Sequence, residues 1–118
     1  MRTLMLPIAA ITLLASCGDI SLPAAAISPK GQILRGSSTA HSSGQGTFQI
    51  GDGRITCAGT YDALSMSPTI SFPVQCSNGL KGLGTAIRES DGMGGSGTVR
   101  MNDGSDWRFV FGKAAAAF

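Results

Sequence analysis

Residues 69–88, TISFPVQCSNGLKGLGTAIR, consist of two runs of alternating apolar and polar residues that flank the dipeptide Asn78-Gly79. Alternation with a period of two is typical of a β-strand that buries one face. Asn-Gly between two such runs indicates a tight hairpin, because a type I′ turn needs positive φ at both central positions. With a two-residue turn, Val74 faces Leu83, and the apolar side chains of both strands share one face. This stretch therefore predicts an antiparallel hairpin.

Two more hairpins are predicted on the same grounds. Asp52-Gly53 and Asp103-Gly104 each lie between short runs that contain aromatic and β-branched residues. Three successive hairpins predict an all-β domain over residues 46–113, a small antiparallel meander of about six or seven strands that forms a barrel or a sandwich. Pro73 lacks a backbone donor, so we expect a bulge or a sheet edge at its strand. Residues 114–118 then form a C-terminal tail.

The N-terminus has the organisation of an export signal. One arginine is followed by the uncharged apolar run Leu4–Ala15, whose length of about 12 residues is typical of the core of a signal peptide and too short for a membrane-spanning helix. The run ends in Leu14-Ala15-Ser16-Cys17, which resembles the lipobox of bacterial lipoproteins. The resemblance implies that residues 1–16 are a signal helix, that cleavage occurs before Cys17, and that this cysteine carries lipid.

The same resemblance implies a location. Several acyl chains on Cys17 attach a protein stably to a membrane, here within the cell envelope and facing the periplasm. Gly18 follows the cysteine, where an aspartate would favour the inner membrane, so the outer membrane is the preferred prediction. The alternative is an ordinary secretory signal that is cut near residues 24–26, with an incidental cysteine at position 17.

Lipidation would leave Cys57 and Cys76 as a pair. Export places them in an oxidising compartment, so the resemblance implies a disulfide between them. Setting the two cysteines opposite each other also aligns the first two hairpins, with Tyr61 facing Phe72. Zinc is the alternative, but two thiols and the single histidine, His41, leave a tetrahedral site without its fourth ligand. We therefore predict no metal and no cofactor.

Residues 17–45 differ in composition from the rest of the chain. They are rich in Pro, Ala, Gly and Ser and contain few large apolar side chains. Such a segment buries too little apolar surface to offset the entropy of ordering it. We therefore predict a lipidated N-terminus and a flexible tether over residues 17–45, with His41 as a solvated side chain. Ile33-Leu34 leaves open whether residues 31–36 add a strand.

The charged residues exclude nucleic acid as a partner and suggest few sites. The formal net charge is only +2, without the basic patch that nucleic-acid binding needs. The aspartates lie mostly in turns, where they bond to nearby backbone, so no catalytic constellation is predicted. Trp107 and the neighbouring Arg108, together with Arg100, are the candidates for contact with a partner.

These observations predict a membrane-anchored envelope lipoprotein that is not an enzyme. It would be a binding or structural module whose partner is an envelope protein or peptidoglycan. The first alternative is an inhibitor of a lytic or proteolytic enzyme, because periplasmic inhibitors of that kind are similar in size, anchoring and disulfide-bearing β architecture. The weaker alternative is an enzyme of unknown class.

Overall fold

A computed structural model describes residues 18–118. The predicted signal peptide, residues 1–16, and the lipobox residue Cys17 lie outside this range. The described residues form eight antiparallel strands and one short 3-10 helix. In chain order these are β1 (Ile20–Ile27), β2 (Ile33–Ala40), β3 (Gln45–Gly51), β4 (Thr56–Asp62), β5 (Thr69–Cys76), β6 (Lys81–Arg88), β7 (Gly94–Met101), β8 (Asp106–Gly112) and the 3-10 helix (Lys113–Ala117).

The strands close into one barrel. Each strand pairs with its neighbours in sequence, and β8 pairs with β1 to complete the ring. Alternate side chains point inward, so that strands such as β5 show an alternating pattern of buried and exposed residues. Eight strands enclose an interior just wide enough for side chains to fill. The predicted all-β antiparallel class is confirmed, and the form is a closed barrel with eight strands where six or seven were expected.

The prediction of a flexible tether over residues 17–45 is wrong, because this segment contains β1 and β2. Ala26 pairs with Leu34, and Ala24 pairs with Phe111 of β8 across the closure of the barrel. All four side chains are buried. Alanine suffices on β1 because other strands supply the large aromatic side chains, and because two ladders satisfy the backbone of β1. Composition alone misses such a strand.

Four connections are three-residue loops that end in glycine. Their last residues have φ between 88° and 97°, as expected for a type I turn followed by a left-handed residue. These loops are residues 29–31, 42–44, 77–79 and 102–104. At Asn78-Gly79 the third loop residue shifts the pairing, so Val74 faces Gly82. The register predicted for a two-residue turn is therefore wrong by one residue, and Leu83 lies on the outer wall, where it is exposed.

Aromatic side chains fill the interior by lying against glycines of neighbouring strands. The paired positions are Gly46 and Tyr61, Phe48 and Gly59, Phe72 and Gly84, and Gly95 and Phe111. A Cβ atom at Gly84 would lie 2.4 Å from the ring of Phe72, well inside van der Waals contact. Phe48, Phe72 and Phe109 meet at the centre with ring centroids 5.2 to 5.4 Å apart. The glycines thus make room for the rings that form the core.

The pairing of β4 with β5 is the weakest ladder of the barrel. It contains only Cys57 opposite Cys76 and Ala58 opposite Gln75, whereas β5 and β6 share seven pairs. The ladder ends before Pro73, which lacks a donor to extend it. A disulfide joins Cys57 to Cys76, so the predicted disulfide is confirmed. It covalently links the two strands with the shortest ladder of the barrel, at one of the two residue pairs that they share.

The C-terminus is ordered. The 3-10 helix Lys113–Ala117 packs on the outside of β1 and β8, where Ala115 and Phe118 cover Ala25 and Val110. The predicted C-terminal tail is therefore part of the folded domain, because it covers an outward apolar patch that would otherwise be exposed. Across residues 18–118, no helix has the length and apolarity needed to cross a bilayer.

Candidate functional site

The topology places the start of the chain and three loops at one end of the barrel. Because consecutive strands are antiparallel, the loops that follow β2, β4 and β6 lie at the end where β1 begins. We call this end the N-terminal rim and define it as residues 18–20, 41–44, 63–68 and 87–93. The other end carries the loops 29–31, 53–54, 77–79 and 102–104. Backbone hydrogen bonds join parts of the rim to one another, such as Ala63 N–H to the Gly44 carbonyl at 2.9 Å.

The first described residues are fixed to the rim. The Asp19 carboxylate accepts a hydrogen bond from the Ser42 backbone N–H at 3.0 Å and lies 3.3 Å from Nδ1 of His41. The Ser42 N–H, followed by His41, lowers the pKa of Asp19 below its ordinary value. His41 Nε2 lies 3.0 Å from the Thr47 hydroxyl. His41 therefore belongs to the barrel and joins β3 to the N-terminus, which corrects its assignment to a flexible tether.

Side-chain and backbone hydrogen bonds hold the loop between β4 and β5. The Arg88 guanidinium donates to the Ser65 carbonyl, and to the Ser67 carbonyl at 3.0 Å. At the start of the loop, the Asp62 carboxylate accepts the Leu64 backbone N–H at 3.0 Å. Such side-chain to backbone bonds fix a turn without regular secondary structure. The loop is thus attached at both its beginning and its end.

These turns present apolar side chains to solvent. Leu64 is 71% exposed and Met66 is 96% exposed. In the loop between β6 and β7, Met93 is 45% exposed and its N–H is accepted by the Asp91 carboxylate at 2.9 Å. Sequence reasoning did not single out these residues. The only signal was an isolated large apolar residue among Ser, Gly and Asp in a turn, where no periodicity marks it.

The predicted contact surface around Trp107 is only partly at the surface. Trp107 points into the barrel and is 5% exposed, and its indole N–H donates to the Ser105 hydroxyl at 3.1 Å. Its proposed exposure is therefore wrong, because it shares the inward parity of the β8 phenylalanines. Arg100 and Arg108 are exposed on the outer wall. Arg100 forms an ion pair with Asp106, which lowers the pKa of that carboxyl.

The interior offers little room for a ligand. Two internal cavities have volumes of about 20 and 10 Å³, each comparable to the space that a single water needs. The larger cavity is lined by the Phe48, Phe72 and Phe109 rings together with Ser38 and Tyr61. The hydroxyl groups of Ser38 and Tyr61 lie 2.8 Å apart and satisfy each other. A partner larger than a water molecule would therefore contact the outside of the barrel.

Several carboxylates serve as turn acceptors. Asp52 accepts the backbone N–H groups of Ile55 at 3.0 Å and Arg54 at 2.8 Å. These bonds, with a third from Gln32, lower the pKa of Asp52 to about 2. Asp103 likewise accepts the Ser105 hydroxyl and N–H, which lowers its pKa. In the described part of the chain, no three His, Cys, Asp or Glu side chains group together as metal ligands.

The outer wall has a polar face over β2 to β5, with Arg35 exposed on it. An open depression of about 720 Å³ lies on this face. Its lining is dominated by hydroxyl and amide side chains, among them Thr39, Thr47, Gln49, Thr56, Thr60 and Gln75. Such groups can both donate and accept hydrogen bonds without the desolvation cost of a charge. This polar face is the second candidate surface beside the N-terminal rim.

Comparison with protein-family models and with curated proteins finds no match. Among solved structures, the chain is similar to a redesigned β-barrel, with a TM-score of 0.59 and 17% identity over 79% of this chain and 88% of that one. It is also similar to a de novo designed fluorescence-activating β-barrel, with a TM-score of 0.56 and 19% identity over 77% of this chain and 88% of that one. These likenesses support the fold alone.

Proposed function

We propose that this chain is a membrane-anchored envelope lipoprotein whose β-barrel is a non-enzymatic binding or structural module. The single observation that carries the proposal is the sequence Leu14-Ala15-Ser16-Cys17 at the end of a short apolar run. Signal peptidase cleavage before Cys17 would make this cysteine the first residue, and lipid on it would hold the domain at the membrane. The domain would face the periplasm, with the outer membrane preferred because Gly18 follows the cysteine.

The disulfide supports the proposal independently. Cys57 and Cys76 are bonded to each other, so Cys17 is the one cysteine left for modification among the three in the sequence. Stable disulfides form in oxidising compartments, which include the bacterial periplasm. The disulfide is therefore consistent with the export that we propose.

Metabolic labelling with a fatty acid tests the anchor. Wild-type protein is expected to incorporate label and to lose residues 1–16, whereas Cys17→Ser is expected to remain unlabelled and unprocessed. The double variant Cys57→Ser/Cys76→Ser is the matched control and should still incorporate label, because it removes the other cysteines and leaves the lipobox intact. Label in Cys17→Ser would refute the proposal. Density fractionation of the labelled membranes then separates outer from inner membrane.

The polar face of β2 to β5 supports a binding role for the wall of the barrel. The lining of its depression contains no charged side chain and is rich in hydroxyl and amide groups, which suits a protein surface or the glycan of peptidoglycan. The carboxylates of the loops serve as backbone acceptors, and this structural use supports a non-enzymatic role.

Site-specific photo-crosslinking in intact cells tests the binding role. A crosslinker at Gln49 or Thr60 probes the polar face, and Thr85, which is exposed on β6 outside this face, is the control. We expect a defined adduct from the first two positions and none from Thr85. An envelope protein in the adduct would identify a protein partner, and retention on purified sacculi would identify peptidoglycan. Equal crosslinking from all three positions would contradict a binding role for this face. An adduct with a lytic or proteolytic enzyme whose activity falls on binding would support the inhibitor alternative.

A further inference from the structure

Exposed apolar side chains are concentrated at one end of the barrel. Of the six large hydrophobic side chains that residues 18–118 expose, five lie at the N-terminal rim. They are Ile20 (50%), Leu64 (71%), Met66 (96%), Ile87 (64%) and Met93 (45%). The sixth, Leu83, lies on the wall. Soluble domains rarely group exposed apolar side chains in this way unless the surface contacts a partner or a membrane.

The opposite end of the barrel provides the contrast within the same molecule. Its loops read Pro-Lys-Gly, Gly-Arg, Ser-Asn-Gly and Asn-Asp-Gly at 29–31, 53–54, 77–79 and 102–104. These residues are polar or small and suit tight turns. The apolar character of the N-terminal rim is therefore a property of that end and not of the loops in general.

The apolar side chains of the rim are held in place. The Asp62 and Asp91 carboxylates fix the turns that carry Leu64 and Met93, and Arg88 bonds to the carbonyls on either side of Met66. A surface that is already ordered loses little conformational entropy when another surface covers it. The rim is thus prepared for contact.

The position of the anchor identifies what the rim would contact. Gly18 belongs to the rim, and Asp19 is bonded to Ser42 and His41 of the same end. Cys17 directly precedes Gly18 in the sequence, and consecutive residues of a chain are only about 3.8 Å apart. Lipid attached to Cys17 would begin beside the rim and would leave the barrel no spacer with which to stand away from the bilayer.

We propose that the N-terminal rim docks on the lipid bilayer, with the side chains of Leu64, Met66 and Met93 inserted into the interfacial region. The orientation rests on the proposed lipid at Cys17. Apolar contact, and not charge, provides the attraction, because the carboxylates of Asp19, Glu89 and Asp91 outnumber the guanidinium of Arg88 at the rim, and anionic headgroups would repel this excess. The barrel axis would then point out of the membrane plane, and the polar face of β2 to β5 would be exposed to the periplasm.

Tryptophan fluorescence in vesicles tests this docking. Mature lipidated protein carrying Met66→Trp is reconstituted into zwitterionic vesicles that contain brominated lipid, and Lys30→Trp at the opposite end is the matched control. Native Trp107 is buried and contributes the same background to both. We expect Met66→Trp to be blue-shifted and quenched several-fold more than Lys30→Trp. Equal quenching of the two variants would overturn the proposal.

A second variant separates insertion from the affinity of tryptophan itself for membranes. With Met93→Trp as the reporter, replacing Leu64 and Met66 by Ser is expected to reduce quenching markedly, since each buried side chain of this size changes partitioning by about tenfold or more. Unchanged quenching would contradict a role for these loops. A blue shift without quenching by brominated lipid would mean that a second copy or another protein covers the rim, which also overturns the proposal.

Mass analysis of the same samples distinguishes this proposal from the lipid anchor. Lipidated protein whose rim reporter is not quenched refutes docking and leaves the anchor intact. Protein that lacks lipid but whose rim reporter is quenched in vesicles refutes the anchor and supports the affinity of the rim for lipid.

Discussion

Removal of the Cys57–Cys76 disulfide is expected to lower the free energy of unfolding by about 3 kcal/mol. The bond closes a loop with a sequence separation of 19 residues, and the chain entropy that such a loop restores to the unfolded state gives this magnitude. The loss is large for a domain of this size, whose total stability is of the order of 5–15 kcal/mol. The variant Cys57→Ala/Cys76→Ala tests it without leaving a free thiol.

The structure also predicts where the barrel opens when the disulfide is removed. Only two residue pairs join β4 to β5, against seven between β6 and β7. Without the covalent link, β4 and β5 are expected to separate before the other strands do. Backbone amides of this ladder should then exchange hydrogen much faster, whereas amides between β6 and β7 should change only by the loss of global stability.

Urea unfolding followed by circular dichroism measures the loss, and hydrogen exchange measured by NMR locates it. Reduction of the wild-type protein is the control, because it breaks the same bond without mutation. A loss below about 1 kcal/mol would refute the entropic reasoning. Exchange that accelerates equally in every ladder would refute the assignment of the β4–β5 pairing as the weakest part of the barrel.

Two further predictions concern the core and the pH dependence of stability. Gly84→Ala is expected to destabilise the barrel by about 1–3 kcal/mol, because the new Cβ would lie 2.4 Å from the ring of Phe72. Thermal unfolding measures this loss, with Thr85→Ala on the outer wall as a control that should show little change. A Gly84→Ala variant as stable as the wild type would contradict the packing argument. The pKa of Asp52 is lowered to about 2, mainly by the hydrogen bond from the Ile55 N–H. The contribution of Asp52 to stability is therefore complete above the unfolded pKa near 4 and is lost as the pH falls towards 2. Urea titrations across this range should show a weaker pH dependence of stability for Asp52→Asn than for the wild type, and the same pH dependence in both would count against this hydrogen bond.

Local patterns in the sequence were sufficient to predict the fold class. Alternation around Asn78-Gly79 correctly indicated a hairpin, and the alignment of Cys57 with Cys76 agrees with the ladder. The exact register was not predictable from the dipeptide, because Asn-Gly also fits a three-residue loop in which the glycine alone has positive φ. A difference of one residue was enough to place Leu83 on the wall and Gly82 inside.

The two strands of the N-terminal segment were missed for a different reason. A strand is usually recognised by large β-branched or aromatic residues, whereas β1 contributes mainly alanines to the interior. Its stability depends on rings that other strands supply, such as Phe111 beside Ala24, and this dependence is not visible in the local sequence. Trp107 was misassigned because its charged neighbours suggested a surface, although alternation along β8 places a side chain between two charged residues on the inward face.

The N-terminal rim was beyond sequence reasoning because it is a product of topology. Leu64, Met66 and Met93 are separated along the chain and have no periodicity in common. They come together because alternate connections of a meander lie at the same end. Only the closed order of eight strands shows that these residues, together with the residue after Cys17, share one end of the barrel.

An even number of strands has a consequence for how the barrel would sit on a membrane. With eight strands, the chain enters and leaves the barrel at the same end, so that four loops lie at the opposite end and three at the N-terminal rim. The four loops at the opposite end are short, and their tight turns require residues such as Gly, Asn and Asp. The loops 63–68 and 89–93 are longer and free of that constraint, which allows Leu64, Met66 and Met93 to occupy them. The exposed apolar side chains thus lie at the end where lipid on Cys17 would place the bilayer, and where they could insert into it.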